Sequence, residues 1–449
     1  MKLLLTALLA ALLLSDAIAQ APKPRLVVLT DIGGDPDDQQ SMIRLLLYAN
    51  EFDIEGLIAS ASGVPGELEP IIKPELIRQL VEAYGKVHGN LTKHARGFPS
   101  AAHLLSCIKT GNIKRGLEAI GQGKDTEGSR WIIEVVDRPD ERPVNITIWG
   151  GQTDLAQALW RVRQDRGADG LKKFISKLRV HDIDDQDKIV EWIWEQFPGM
   201  FYVLSKAAKG RDKREGAYRG MYIGGDEALA SREWMEKNIR QNHGPLGALY
   251  PTRTWTAPNP HSAIKEGDTP SWFYFLPHGL NDPDHPEWGG WGGRFVSMRD
   301  HIYTNTHDTV NGITDARATV WRWRPAFQAD FQARLDWCVA ETTDQTTRAP
   351  VAVLNGDSSR RIVRLTAKAA ETVQLSAEGS DEAGARWFIY PEPGTYRGAI
   401  SLSNTNQSKT TFVAPRVSAT ESVHVILEVR SDRDPFPSSF RRAIIELRP

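Results

Sequence analysis

Four aspartates crowd the segment "LTDIGGDPDDQQS" at residues 29–41: Asp31, Asp35, Asp37 and Asp38. Carboxylates this close repel one another, and a helix start uses only one or two of them as caps. Asp37 and Asp38 suit that role, while Gly33, Gly34 and Pro36 shape a turn. Capping leaves the remaining acids unexplained. Brought together without a cation, some would have to keep their protons, at a cost in stability. A hard divalent ion removes that cost, because Ca²⁺ takes roughly six to eight oxygen ligands, carboxylates and backbone carbonyls among them. The cluster is therefore expected to bind Ca²⁺.

Other segments carry further candidates. "KLRVHDIDDQD" places His181 beside Asp182, Asp184, Asp185 and Asp187, of which Asp185 and Asp187 are expected to contact a ligand. "QNHGPLG" sets Asn242 and His243 beside glycines, a ligand contact and a proton donor respectively. A hydrogen-bonded structural histidine is the alternative for both His181 and His243. "HPEWGGWGGRF" holds Trp288 and Trp291 among glycines that cannot bury them by themselves. Aromatic faces on loops stack on sugar rings, or else fold against the loop's own core.

These residues need elements to hold them. From Arg25 onward, short apolar runs ("RLVVLTD", "IEGLIASAS", "NITIWGG", "KLRVHDI") alternate with amphipathic stretches ("QQSMIRLLLYANE", "PELIRQLVEAYGKVHG", "TDLAQALWRVRQD", "DKIVEWIWEQFP"). That alternation predicts an α/β fold with a mostly parallel sheet and helices on both faces. Ligands of such sheets lie beyond the carboxyl ends of the strands, where the aspartate cluster and "GGQTD" both fall. After about residue 345 the pattern becomes short strands with turn residues, which predicts a small all-β, immunoglobulin-like sandwich over 350–449. The α/β part is expected over 20–342.

The 449 residues are 41% hydrophobic and 25% charged, with a formal net charge of −2, a balance that offers no basic surface for nucleic acid. "MKLLLTALLAALLLSDAIAQ" reads as a secretory signal over residues 1–19, cleaved after Ala19, and no segment suits a membrane span. The mature chain is expected in the periplasm or outside the cell, and a homo-oligomer is compatible with it. Cys107 and Cys338 sit in apolar, helix-like contexts and are read as free thiols. No G-x-G-x-x-G follows the first strand, which disfavours a dinucleotide site. An aspartyl-nucleophile phosphatase would want an aspartate at position 33, which is glycine.

A strand ending in aspartate, a Gly/Pro turn and a double aspartate opening a helix resemble the signature of the calcium-dependent nucleoside hydrolases. "NITIWGGQTDLAQAL" is similar to that family's second landmark, and Asp268 in "KEGDTPS" to a third. "NHGPLGALYP", "NDPDHPEWGGWGGRF" and the sandwich tail resemble an exported bacterial branch described as cellulose-binding proteins. The resemblance implies Ca²⁺ held by Asp31, Asp38, the Thr153 carbonyl and Asp268, with Asp37 on a sugar hydroxyl. It also implies hydrolysis at an anomeric carbon, with a carboxylate as base for water. The position of the usual base aligns with Gly33, so either Asp31 or Asp35 takes the role, Asp31 being favoured because it ends the strand. Gly267 stands where many relatives carry a histidine that protonates the leaving group. Two functions follow: an exported calcium-dependent glycoside hydrolase, or a cellulose- or polysaccharide-binding protein that keeps the hydrolase fold.

Overall fold

β1 (Arg25–Thr30) is buried along its whole length, and its side chains alternate between two cores. Leu26 and Val28 join one, Val27 and Leu29 the other, as the two-residue period of a central strand requires. In this computed structural model the described residues are 22–61, 71–258, 260–381 and 384–449, so the expected leader over 1–19 lies outside them. Parallel neighbours follow: β2 (Asp53–Ala59), β3 (Ile108–Thr110), β4 (Val144–Ile148), β5 (Leu178–Ile183) and β6 (Phe201–Ser205). A hairpin, β7 (Phe295–Arg299) and β8 (Ile302–Asn305), closes the edge, with β7 antiparallel. The order is β3-β2-β1-β4-β5-β6-β8-β7.

Helices α1 (Asp37–Leu47), α2 (Pro74–His94) and α3 (Ala101–Ser106) contribute to the first core. Helices α4 (Glu127–Asp137), α5 (Gln152–Ile175) and α6 (Val190–Gln196) contribute to the second. Fully apolar strands covered on both faces are what the sequence pattern demanded. Between β6 and β7 the chain forms short helices, including α7 (Arg232–Met235), α8 (Gly244–Ala248) and α9 (Thr269–Phe273). A small hairpin, β9 (Asp308–Val310) and β10 (Ile313–Asp315), precedes α10 (Ala318–Trp321) and α11 (Arg324–Trp337). No helix among the described residues is long and apolar enough to cross a membrane.

The remaining strands are β11 (Val363–Lys368), β12 (Thr372–Ser376), β13 (Gly384–Ile389), β14 (Lys409–Val413), β15 (Glu421–Arg430) and β16 (Ser438–Arg448). They form a sheet ordered β11-β16-β15-β13 and a β12-β14 pair, packed over Leu375, Trp387, Phe412, Leu427 and Ile445. The outer face of the larger sheet is not left to solvent: Tyr390, Ile426 and Phe440 belong to the first α/β core. Cys107 and Cys338 are buried and unbridged.

Trp288 and Trp291 are corrected by this seam. They are only 7% and 3% exposed, so neither forms a platform for a ligand. Trp291 stacks on His278 at 4.9 Å and meets the edges of Phe273, Phe327 and Phe440. Trp288 stacks on His285 and packs against His424 of β15. Glycines let the loop pass close to the opposing strands; the arginine Arg442 donates to the Gly289 carbonyl at 3.0 Å. Part of the burial comes from Phe440 and His424 of the C-terminal sandwich, which the loop's own sequence does not reveal.

Candidate functional site

At the carboxyl end of β1 the helix α1 starts after Pro36, which offers no side-chain cap, and the acids of the turn are directed elsewhere. Asp37, Asp38 and Asp268 are buried with carboxylate oxygens within 4.8 Å of one another. Asp38 accepts a bond from the Thr30 hydroxyl. Asp37 lies 2.8 Å from the Lys265 ammonium. Asp268 opens α9, and its Oδ2 is buried without a hydrogen-bond partner among the described residues.

The segment bearing Lys265 and Asp268 is clamped by α1 itself. Gln40 accepts from the Lys265 and Glu266 amides and donates to the Ala263 carbonyl at 2.7 Å. Glu266 is fully buried, bonded to Arg44 at 2.5 Å and to the Tyr250 hydroxyl. Trp149, just past β4, donates to Ser271 at 2.9 Å and ties α9 to the sheet. The spacing of "DDQQ" therefore serves twice, placing two acids in the cluster and one amide on the segment that supplies the third.

Electrostatics follow from burial. Burial raises Asp37, with Asp35 and Asp31 adding to it against Lys265, to about 6. Asp38 rises well above the usual carboxylate range through burial and then through Asp31, Asp268 and Asp37. Asp268 rises for the same reasons, burial first and then Asp37 and Asp31. Three carboxylates that cannot all hold their charge, one oxygen without a partner, and an all-oxygen donor set fit a hard divalent cation.

Asp31 and Asp35 take different places. Arg115 binds Asp31 Oδ2 at 2.6 Å and also reaches the Ala61 carbonyl, so Asp31 borders the cluster in an ion pair. Gly150 lets this happen, since a Cβ there would stand 2.7 Å from the Asp31 side chain. Asp35 does not fit the role of base. Lys265 holds it at 2.7 Å, the Trp255 amide at 2.6 Å, and the Thr256 hydroxyl binds it as well. Burial alone would raise Asp35, but Lys265 and these bonds outweigh it and keep it below the ordinary carboxylate range.

The second acidic segment is also redistributed. Asp185 is occupied by the Ile189 and Val190 amides at the start of α6, by Gln152 and by Lys206. Asp187 accepts the Thr153 amide at 2.8 Å and its hydroxyl at 2.6 Å, and faces Arg115 at 3.7 Å. Asp185 caps a helix and Asp187 fixes Thr153 through one oxygen, its Oδ1 being buried without a hydrogen-bond partner among the described residues; neither lines the cleft over the acids, so both expectations are corrected. Thr153 is thereby held in the first turn of α5, beside the glycine turn. His181 is enclosed by the edges of Tyr274, Phe275 and Phe295, and burial holds it neutral, at about 3.

His243 is removed from the site as well. Its ring bonds Asp336 at 3.0 Å, and its neighbour Gly244 faces Val87 of α2. Asn242 occupies a left-handed turn position beside it. Neither lines the cleft over the acids. That cleft is lined instead by Asp31, Asp37, Asp38 and Asp268 together with Asp184, Gln186, Tyr218, Arg219 and Lys265. Tyr218 approaches Asp184 and lies against Gly267, where a Cβ would be 3.4 Å from both its ring and Asp37. Burial raises Asp184, against Arg219 and Lys206. Lys265, Arg115 and Tyr218 escaped sequence reasoning. Their partners lie far along the chain, and "KEGDTPS" carried the lysine only as an unremarked neighbour of Asp268.

Residues 25–295 match the family described as cellulose-binding Sde182, nucleoside hydrolase-like domain, and residues 372–447 match the C-terminal domain of cellulose-binding protein Sde0182. A nucleoside hydrolase-related hypothetical protein from Saccharophagus degradans, described as associated with carbohydrate metabolism, has a solved structure that is 34% identical. The match covers 95% of this chain and 100% of that one, with a TM-score of 0.81. The PKD domain from KIAA 1837 protein and the titin M3 domain overlap 19% and 20% of the chain at TM-scores of 0.15 and 0.14, too low to bear on the fold. No curated protein matches the chain.

Proposed function

Because the chain belongs to the cellulose-binding Sde182 family with its nucleoside hydrolase-like domain, we propose that it is an exported, calcium-dependent glycoside hydrolase acting on a carbohydrate. The observation that carries this reading is the buried trio Asp37, Asp38 and Asp268 within 4.8 Å, with Asp268 Oδ2 unpartnered among the described residues. A bound Ca²⁺ would neutralise those charges, hold adjacent sugar hydroxyls and polarise a water molecule. Asp38 and Asp268 would supply carboxylate ligands, and the Thr153 carbonyl would be a further one.

The chain's own residues supply the rest. Asp37, steadied by Lys265, accepts a hydrogen bond from a sugar hydroxyl. Asp31 removes the proton from water as it attacks the anomeric carbon. An O-glycosidic leaving group needs a proton, and Gly267 cannot give one. Asp184 lines the cleft, is raised by burial and has Tyr218 beside it, so it takes that role. The surrounding carboxylates stabilise positive charge developing on the sugar ring.

A second reading, a polysaccharide-binding protein without turnover, is favoured by one contact: Arg115 occupies Asp31 Oδ2 at 2.6 Å. Incubation with nucleosides and oligosaccharides, with and without chelator, separates the two. Hydrolysis predicts release of reducing sugar that chelator and Asp31→Asn both abolish. Retention on insoluble cellulose with no release favours the binder.

A further inference from the structure

Trp255 is 58% exposed and is the one tryptophan among the large apolar side chains that stand out in solvent among the described residues. A single exposed apolar residue needs no explanation by itself. Trp255 differs in how its backbone is held. Its amide donates to Asp35 at 2.6 Å, the next residue, Thr256, binds the same carboxylate, and Lys265 joins both. Thr254 closes the base of the loop onto Ser262 at 2.8 Å. Asp35, Thr256 and Lys265 line the cleft over the acidic trio. The indole therefore projects from a backbone anchored in the wall of that cleft, with its own ring left bare.

We infer that Trp255 is a stacking platform for a pyranose ring next to the one held over Asp37, Asp38 and Asp268, so that the site takes a linked sugar chain rather than a single sugar. This rests on the carbohydrate reading of the acidic cleft. The chemistry suits the place. A pyranose presents hydroxyls around its edge and C–H groups on its faces, matching an acidic floor beside an aromatic rim. The tie to Asp35 fixes the backbone at Trp255 and Thr256 before ligand arrives, so little ordering is lost there on binding.

Calorimetry on the full chain tests this with cellotetraose and glucose as probes and Ca²⁺ alone as a control. The wild type is expected to bind cellotetraose well above glucose. Trp255→Ala is expected to weaken cellotetraose at least tenfold, about 1.4 kcal/mol, while glucose and Ca²⁺ binding stay unchanged and Trp255→Phe restores most of the loss. Equal affinity of wild type and Trp255→Ala for cellotetraose, or no preference of the wild type for the longer sugar, overturns the proposal. If chelator leaves cellotetraose binding intact while Trp255→Ala removes it, the platform stands and the calcium reading falls.

Discussion

Lys265 is the residue on which the balance of the acidic cleft turns. It is buried, bonded to Asp35 at 2.7 Å and Asp37 at 2.8 Å, and pushed above its ordinary range because those two charges outweigh its burial. Replacing it with methionine keeps the volume and strands two buried carboxylates. Removing one partner of a buried pair costs about 3–5 kcal/mol, so Lys265→Met is expected to lower stability by that order in urea melts; a change below about 1 kcal/mol contradicts it. Asp37 and Asp38 were legible in the sequence because like charges at a strand's end call for a cation, and Asp268 only through the resemblance of its segment to a family motif. Lys265 and Arg115 were not. Each meets its aspartate across a long stretch of chain, and nothing local marks a lysine or arginine as buried.

At the scale of elements, the turn between β4 and α5 decides where the carboxylates go. Gly150 lies against Asp31, and Gly151 adopts φ +85° with Ser60 so near that a Cβ could not fit. Gly150→Ala is expected to displace Asp31 and suppress sugar release at least tenfold while Ca²⁺ binding by the trio persists. Unchanged turnover would show that Asp31 is not the base. Strands β1, β2, β4 and β5 and helices α1, α2, α5 and α6 were readable, because buried parallel strands and amphipathic helices leave distinct periods, whereas the three-residue β3 and the segments of α3, α4 and β6 were not. Residues 206–294 were not readable as elements, since their short helices owe their shape to caps and contacts from elsewhere. The histidines show the same limit: His243 and His181 resemble proton donors in sequence, and only packing places one on Asp336 and the other among aromatic edges.

For the whole molecule, the seam between the α/β part and the sandwich is a structural joint. Trp291, Trp323, Tyr390 and Phe440 share one core across it. Trp291→Ala is expected to cost about 3–5 kcal/mol, as large aromatic truncations in cores do, without loss of Ca²⁺ binding. A loss confined to sugar binding, with stability unchanged, contradicts the structural role. The seam also buries histidines. Burial, and then Arg442 and Arg360, holds His278 down at about 3. Burial with Arg442 and Arg364 takes His424 to about 2. Unfolded, each takes a proton near pH 6.5. Between about pH 6.5 and 3 the unfolded chain binds more protons, so stability falls as pH falls, by about 1.4 kcal/mol per pH unit for each histidine. Denaturant midpoints from pH 8 to 4 should follow that slope, and His278→Asn with His424→Asn should flatten it. The same pH dependence of the midpoint in wild type and in the double variant contradicts it.

The chemistry of the cleft turns on whether the acidic trio binds a divalent cation. Titrating Ca²⁺ into chelator-treated protein is expected to give a single saturating heat, with a melting temperature that rises with free Ca²⁺. Asp38→Asn and Asp268→Asn should each abolish the heat. Without calcium both variants should melt no lower than the wild type, since each removes one of three repelling charges. No heat, and equal melting in calcium and in chelator, would contradict the account.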